Sequence, residues 1–405
     1  MNALVLGYGR SGKAAEALLC RLGFSVRVLD GEAVFPEGRF DVAVVSPGIA
    51  LTHAWVIEAR RRGIPLKSEL QLGCEELKRK GWKLLAVTGS KGKSSVVKVV
   101  ADAINLAGME AVACGNYGIP VSEVALSSGA SGSRSSRDAR WAVVEVSSFM
   151  METTELPSDA FEAAAILNLQ EDHLDRHGSV EVYHGLKRKL LTMAKKGIEP
   201  VKLSGDCFSA LWAGSYFDNE ILAGNAAVAV ELMRVAGLND AAIAKAFRGF
   251  APLPHRMNLV AEIDGVRFID DSKATSLAAL IAGVKMASSC NRTIEQSNNR
   301  TILLIAGGLP KGDDPKTALS TLTERVKKVY LIGQSAEAFF AAWKDAVDCE
   351  ICGTMDKAVE TVRREAEKGE TVLLSPGTAS FDQFKSYGER GDVFARLVKE
   401  KGQPK

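Results

Sequence analysis

Thr88-Gly89-Ser90-Lys91-Gly92-Lys93-Ser94-Ser95 stands between the apolar run Leu84-Leu85-Ala86-Val87 and a helix-like stretch that reaches Ala107. A buried strand, a turn of small residues and a helix, in that order, read as a phosphate loop. Small residues let successive backbone N–H groups point at phosphate oxygens, and the helix start adds positive potential. Lys93 is placed to reach terminal phosphates, and a serine hydroxyl such as Ser94 can hold Mg²⁺. The full spacing of such loops has a glycine where Val87 stands, so the match is to a shortened form, with a plain Gly-Ser turn as its rival.

The strand and helix around this loop continue in both directions. Apolar runs at 3–6, 26–29, 42–45, 84–87, 142–146 and 164–167 alternate with helical stretches, and the pattern resumes at 266–269, 302–305, 329–332 and 371–374. Such runs are the mark of buried parallel strands, so the fold class is α/β. At about 150 residues per domain, 405 residues predict two to three domains. Breaks fall at the charged stretch 78–83 and the proline-containing stretch 251–256, giving expected domains 1–82, 83–253 and 254–405. The small polar stretches 127–138 and 288–299 read as surface loops.

Composition narrows the function. Hydrophobic residues at 46% and charged residues at 25% are ordinary for a globular chain, and 51 basic against 49 acidic side chains leave a net charge of +2. That balance argues against a broad nucleic-acid footprint. No run approaches the roughly 18 apolar residues of a membrane span, and the start carries no targeting pattern, so a cytosolic protein is expected. The 7 cysteines fit reduced thiols, and the lone CxxC, Cys349 and Cys352, lacks the second pair of a zinc site.

Gly7-Tyr8-Gly9-Arg10-Ser11-Gly12 opens a second glycine loop, with Asp30 at the end of the next strand. NAD, another nucleotide, and a structural tight turn remain open there. Glu145 and the cluster from Asn168 to His177 close strands that should line the same crevice as the phosphate loop. Glu145 and His173 suit a nucleotide-bound cation; a zinc site from His173, His177 and His184 is the rival. Lys187 reads by default as a solvated charge. Asp270 to Thr275 and Ser375 to Phe384 are donor-rich strand-end loops suited to an anion.

In this order, together with Ser46-Pro47-Gly48-Ile49, Gly115 to Pro120 and Leu253 to Arg256, the segments resemble the Mur ligase family over nearly the whole chain. The resemblance implies an N-terminal Rossmann-like domain, a central P-loop ATPase-like domain and a C-terminal Rossmann-like domain. It implies ATP-dependent ligation in peptidoglycan precursor synthesis: a carboxylate is phosphorylated and an amino acid amine displaces the phosphate. The partners implied are ATP, Mg²⁺, UDP-N-acetylmuramoyl-L-alanine and D-glutamate, with the protein acting as a monomer. The resemblance assigns catalysis to Lys93, Lys187, His173 and Glu145, and ATP to Gly89, Ser90, Lys91, Gly92, Lys93, Ser94, Ser95, Asn225, Arg256 and Asp271. It assigns the UDP substrate to Gly9, Arg10, Ser11, Asp30, Ser46, Gly48 and Asn116, which turns the first glycine loop away from NAD. It assigns the amino acid to Lys273, Thr275, Lys311, Ser380, Phe381 and Tyr387. Metal is implied at Ser94, Glu145, His173 and a carbamylated Lys187. Three features depart from the family: Gly31 and Glu32 stand where members commonly carry an Arg shortly after the residue matching Asp30, Ile221 and Leu222 replace a His-Asn pair, and the stretch 190–222 is short. An NAD-dependent oxidoreductase and a non-catalytic paralogue are the alternatives from other classes.

Overall fold

The computed structural model describes residues 1–127, 139–200, 209–289 and 300–400. The loops expected at 127–138 and 288–299 fall almost wholly outside those residues, as do Cys207, Cys290 and part of the stretch 190–222.

The first sheet comprises β1 (Asn2–Leu6), β2 (Ser25–Leu29), β3 (Val42–Val45) and β4 (Leu66–Ser68), all parallel, in the order β2-β1-β3-β4. Its central strands β1 and β3 are buried and apolar beyond Asn2 because both faces are covered, whereas the edge strand β2 admits exposed Ser25 and Arg27. Ala3 and Val5 enter one core with Leu18 and Leu19, while Leu4 and Leu6 enter another with Trp55 and Val56. The second sheet comprises β5 (Lys83–Thr88), β6 (Glu110–Gly115), β7 (Arg140–Glu145), β8 (Ala163–Ile166) and β9 (Gly197–Ile198), parallel in the order β6-β7-β5-β8-β9. The third comprises β10 (Asn258–Ile263), β11 (Val266–Asp270), β12 (Ile302–Gly307), β13 (Val326–Ile332), β14 (Asp348–Gly353) and β15 (Thr371–Leu374). Its order is β10-β11-β15-β12-β13-β14, with β10 alone antiparallel.

The chain divides into two compact units, Met1–Phe217 with Leu222–Phe250, and Asp218–Ile221 with Ala251–Lys405. The break near 82 separates sheets but not cores. Ala3 and Val5 share a cluster with Leu84, Ala86 and Phe161, and the helices Glu69–Arg79 and Val121–Ser127 nearly touch. A Cβ at Gly73 would lie 2.6 Å from the Ser122 nitrogen.

Strand order decides where ligands can bind. In the first sheet the chain leaves β1 towards β2 on one side and β3 on the other; in the second, β7 and β8 flank β5. At such switch points the loops beyond the carboxyl ends of the strands part and leave a crevice. Gly7–Gly12 and Ser46–Ile49 flank the first crevice; the phosphate loop, Glu145 and Asn168 flank the second. Cys349 and Cys352 lie on β14 and pack into two different cores, so the pair does not converge.

Candidate active site

The phosphate loop forms as its residue types dictate. Gly89 and Gly92 hold φ of +151° and +84°, and Gly92 caps the helix Lys93–Leu106 without any side-chain hydrogen bond. The helix's first N–H groups therefore face a loop with no acidic residue in the first turn. Lys93 Nζ folds back onto the carbonyls of Gly89 (2.8 Å) and Ser90 (3.1 Å). Asn168, just past β8, clamps the loop from outside: Oδ1 accepts from Lys91 N at 2.8 Å and Nδ2 donates to Lys91 O at 2.9 Å. Its Nδ2 also reaches Asn225 Oδ1 at 3.3 Å, and the Asn225 amide lies where a Gly92 Cβ would be, 2.1 Å away. Asn168 opens the cluster expected to line this crevice, but its clamp on Lys91 was not legible, since that partner is 77 positions away.

Glu145 ends β7 and is buried. Asn116 Nδ2 donates to its Oε1 at 2.6 Å, whereas its Oε2 is buried with no partner. Such an orphan carboxylate oxygen fits a cation, because burial without a partner is costly. Mg²⁺ commonly takes only one or two protein groups alongside phosphate oxygens.

Lys187 corrects the expectation of a solvated charge. It is 1% exposed and lies on the inward face of the helix Val180–Leu191 with Tyr183 and Leu190. The spacing 183, 187, 190 is the 3.6-residue period that would have found it. Its Nζ donates to the Gly89 carbonyl at 3.0 Å and sits 4.5 Å from the Tyr183 ring centroid. Burial, helped by the nearby Lys93, pulls its pKa down to about 7 against the pull of Asp172 and Glu145.

His173 holds φ +53°, uncommon for a non-glycine residue, at the start of the turn Leu174–His177, with its ring 4.9 Å from Phe149. His177 is buried with Nε2 3.0 Å from Ser148 Oγ, while His184 Nε2 lies 3.5 Å from the Gln170 carbonyl. All three imidazoles pack around the Tyr183 ring, but the Nε2 atoms of His177 and His184 turn to different oxygens. Among the described residues no three His, Cys, Asp or Glu side chains are grouped to hold a metal.

The first crevice is also built on glycine. A Cβ on Gly12 would strike the Gly7 carbonyl at 2.0 Å, so the helix Arg10–Arg21 packs against β1 only with glycine there. Gly9 and Gly48 face open space, and Gly9 caps the helix without a side-chain bond. Ser46 Oγ donates to the Gly7 carbonyl at 2.7 Å, Asp30 Oδ1 accepts from Tyr8 N at 3.2 Å, and Arg10 reaches the Gly118 carbonyl. Ser11 opens the helix beside them.

The second unit gathers its own set. Asp271, just past β11, is buried and accepts from Ser375 Oγ at 3.0 Å; burial pushes its pKa up to about 7. The neighbouring helix Leu277–Ser289 passes at Gly283, whose Cβ would lie 2.6 Å from Asp271 Oδ2. Asp270 holds His255 Nδ1 at 2.7 Å and Ser272 N at 2.8 Å. Lys273 Nζ lies 3.8 Å from the Tyr387 ring centroid, so these two expected residues meet. Arg256 and Thr275 are half-buried nearby in sequence, Ser380 is buried, and Lys311 and Phe381 are exposed. Arg390, fully buried and unanticipated, donates to Ser272 and to the Thr378 and Ala379 carbonyls, bracing both donor-rich loops.

The pattern of the Mur ligase middle domain matches residues 87–210, and that of the Mur ligase glutamate ligase domain matches 255–377. The UDP-N-acetylmuramoylalanine–D-glutamate ligase of Acidobacterium capsulatum is 33% identical across 98% of this chain and 96% of its own. The chain belongs to the Mur ligase family. The ligase of the same name from Nitratidesulfovibrio vulgaris is also 33% identical, across 98% of this chain and 95% of its own. This Mur ligase shares its fold with the UDP-N-acetylmuramate–alanine ligase of Thermotoga maritima (TM-score 0.58, 14% identity, 99% of each chain). A UDP-N-acetylmuramoyl-L-alanyl-D-glutamate–2,6-diaminopimelate ligase superposes with TM-score 0.55 at 16% identity, covering 93% of this Mur ligase and 98% of that chain. Among its described residues, no helix is long and apolar enough to cross a membrane.

Proposed function

We propose that this Mur ligase joins D-glutamate to UDP-N-acetylmuramoyl-L-alanine at the expense of ATP, in peptidoglycan precursor synthesis. The observation that carries the reading is the constellation at the ends of β5, β7 and β8. A phosphate loop, a buried carboxylate with one oxygen unpartnered and a buried lysine pulled down to about pKa 7 converge there. In the proposed division of labour, residues 1–82 bind the UDP substrate, 83–253 bind ATP and 254–405 bind the amino acid.

The acceptor's terminal carboxylate attacks the γ-phosphate, ADP leaves, the amine displaces phosphate from the acyl phosphate, and the amide remains. Gly89 to Ser95 cradle the phosphates, and Lys93 stabilises charge on the transferred group. Asn225, Arg256 and Asp271 hold the nucleotide. Gly9, Arg10, Ser11, Asp30, Ser46, Gly48 and Asn116 hold the acceptor. Lys273 and Lys311 answer the two carboxylates of D-glutamate, with Thr275, Ser380, Phe381 and Tyr387 around them. Ser94, Glu145 and His173 would hold Mg²⁺, which when bound neutralises phosphate charge. Lys187 joins them as a carbamate: only a neutral amine attacks CO₂, and burial supplies one near neutral pH. The protein works as a cytosolic monomer.

Phosphate release from ATP with UDP-N-acetylmuramoyl-L-alanine, scanned across amino acids, tests the reading. D-glutamate should give the highest kcat/KM. Faster turnover with L-lysine or meso-diaminopimelate would overturn the amino acid, and binding of both substrates without phosphate release would favour the non-catalytic paralogue.

A further inference from the structure

Three residues beyond His173, Arg176 reaches out of the phosphate-loop sheet to the crevice of the first sheet. Its Nη2 donates to the Ile49 carbonyl at 2.8 Å and, at a longer 3.4 Å, to that of Pro47. Its Nε and Nη2 grip the two oxygens of Glu152 at 3.0 and 2.7 Å, and the guanidinium lies 5.2 Å from the Phe149 ring centroid. The side chains of Arg176 and Glu152 are 17% and 8% exposed. The other neighbour of Glu152 is His177 Nδ1 at 3.5 Å, but burial lowers that imidazole's pKa, so Arg176 is the cation that answers Glu152.

The loop that Arg176 holds is a wall of the first crevice. Ser46 Oγ donates to the Gly7 carbonyl, and Ile49 lies so close to Gly7 that a Cβ there would meet Cγ1 at 2.8 Å. A planar guanidinium can grip a carboxylate with two donors and still offer a hydrogen to a carbonyl on the same edge, which an ammonium on a flexible stem does not reproduce.

We infer that Arg176 is a positioning residue that locks the loop Ser46–Ile49 against the His173 segment, holding the nucleotide-sugar substrate in register with the phosphate loop. The inference rests on the functional reading above. It concerns only the acceptor substrate, so it predicts a split: KM for UDP-N-acetylmuramoyl-L-alanine rises while KM for ATP does not.

The test compares wild type with Arg176→Lys and Glu152→Gln, with Arg176→Ala added if it folds. In Arg176→Lys the acceptor KM should rise about tenfold, with the ATP KM within twofold and kcat within threefold. Glu152→Gln should move the same parameter in the same direction by less. A merely structural role predicts lowered Tm with both KM values rising together, or neither moving, and either result overturns the inference. If wild type releases no phosphate with this acceptor, the functional reading itself fails, and calorimetry decides the inference. Weakened UDP binding with retained ADP binding in Arg176→Lys then supports it; equal or no change overturns it.

Discussion

Removing the Asn168 side chain should loosen ATP binding while leaving the fold intact. The carboxamide acts on Lys91 as a neighbouring strand would, taking its N–H at 2.8 Å and giving to its carbonyl at 2.9 Å, and it reaches Asn225 at 3.3 Å. Two neutral hydrogen bonds at about 0.5–1.5 kcal/mol each sum to roughly 1–3 kcal/mol. If that free energy orders the phosphate loop, its loss raises the ATP dissociation constant about 5- to 150-fold. Asn168 is only half-buried, and competition from water favours the lower end of that range. Asn168→Asp is the sharper variant. It keeps an acceptor for the Lys91 N–H but turns the other atom into an acceptor facing Lys91 O and Asn225 Oδ1, so it should be worse than alanine. Calorimetry with ADP and initial rates against ATP measure both. ATP affinity within twofold of wild type in Asn168→Ala, or better binding in the aspartate variant than in alanine, would refute the clamp.

Lys187→Ala should lose most activity, and bicarbonate or a short carboxylate should restore part of it; no rescue, with an unmodified lysine by mass spectrometry of the native protein, argues against the carbamate. Glu69 is buried, accepts from Ser122 N at 2.6 Å, and burial lifts its pKa to about 7. A carboxyl raised in the folded state stabilises fully below its unfolded pKa and loses that contribution as pH rises to about 7. Wild-type Tm should therefore fall between pH 5 and 8 and Glu69→Gln should flatten the fall, by up to about 3 kcal/mol; parallel Tm profiles would exclude this. Leu222 is buried at the start of the helix Ala223–Val235, with Ile221 36% exposed beside it. Restoring the family's His-Asn pair with Ile221→His, Leu222→Asn should raise the preference for ATP over GTP about twofold to tenfold, the worth of one neutral hydrogen bond, and an unchanged ratio of kcat/KM would count against the idea.

Where the sequence is readable, the physics is local. Every apolar run expected as a strand is one, because strands packed on both faces are mostly apolar, with Arg27, Glu145 and Arg267 among the few charged residues inside those runs. The glycines at 89 and 92 announce their loop because their backbone angles exclude most other residues. The missed strands lack that signature. β4 and β9 have three and two residues, and the edge strands β6, β10 and β14 mix exposed polar positions into their runs. Site residues were missed where their partners are distant. Asn168 reads as one more polar residue before a carboxylate cluster, Arg176 bonds a carbonyl 127 positions away, and Arg390 meets Ser272 across 118. Lys187 was identifiable by resemblance and its burial by the helical spacing 183, 187, 190, whereas its partner carbonyl lies 98 positions away.

That carbonyl bears on the carbamate proposed for Lys187. Gly89 O accepts from Lys93 Nζ at 2.8 Å and from Lys187 Nζ at 3.0 Å, so two amines share one acceptor. They can be no more than roughly 6 Å apart, where two positive charges at an effective dielectric of about 20 repel by on the order of 3 kcal/mol. Asp172 and Glu145 pull the other way, yet burial together with Lys93 prevails at Lys187. Lys187, the more deeply buried of the two, is pulled towards neutrality. Addition of CO₂ to the neutral amine would replace a suppressed positive charge with a negative one. The same pair would then attract, and the orphan oxygen of Glu145 would gain a second anionic group with which to hold a cation. On this reading the burial that draws Lys187 towards neutrality is what prepares it for the proposed carbamate, whereas a solvated lysine at this position would stay protonated and react poorly with CO₂ at neutral pH.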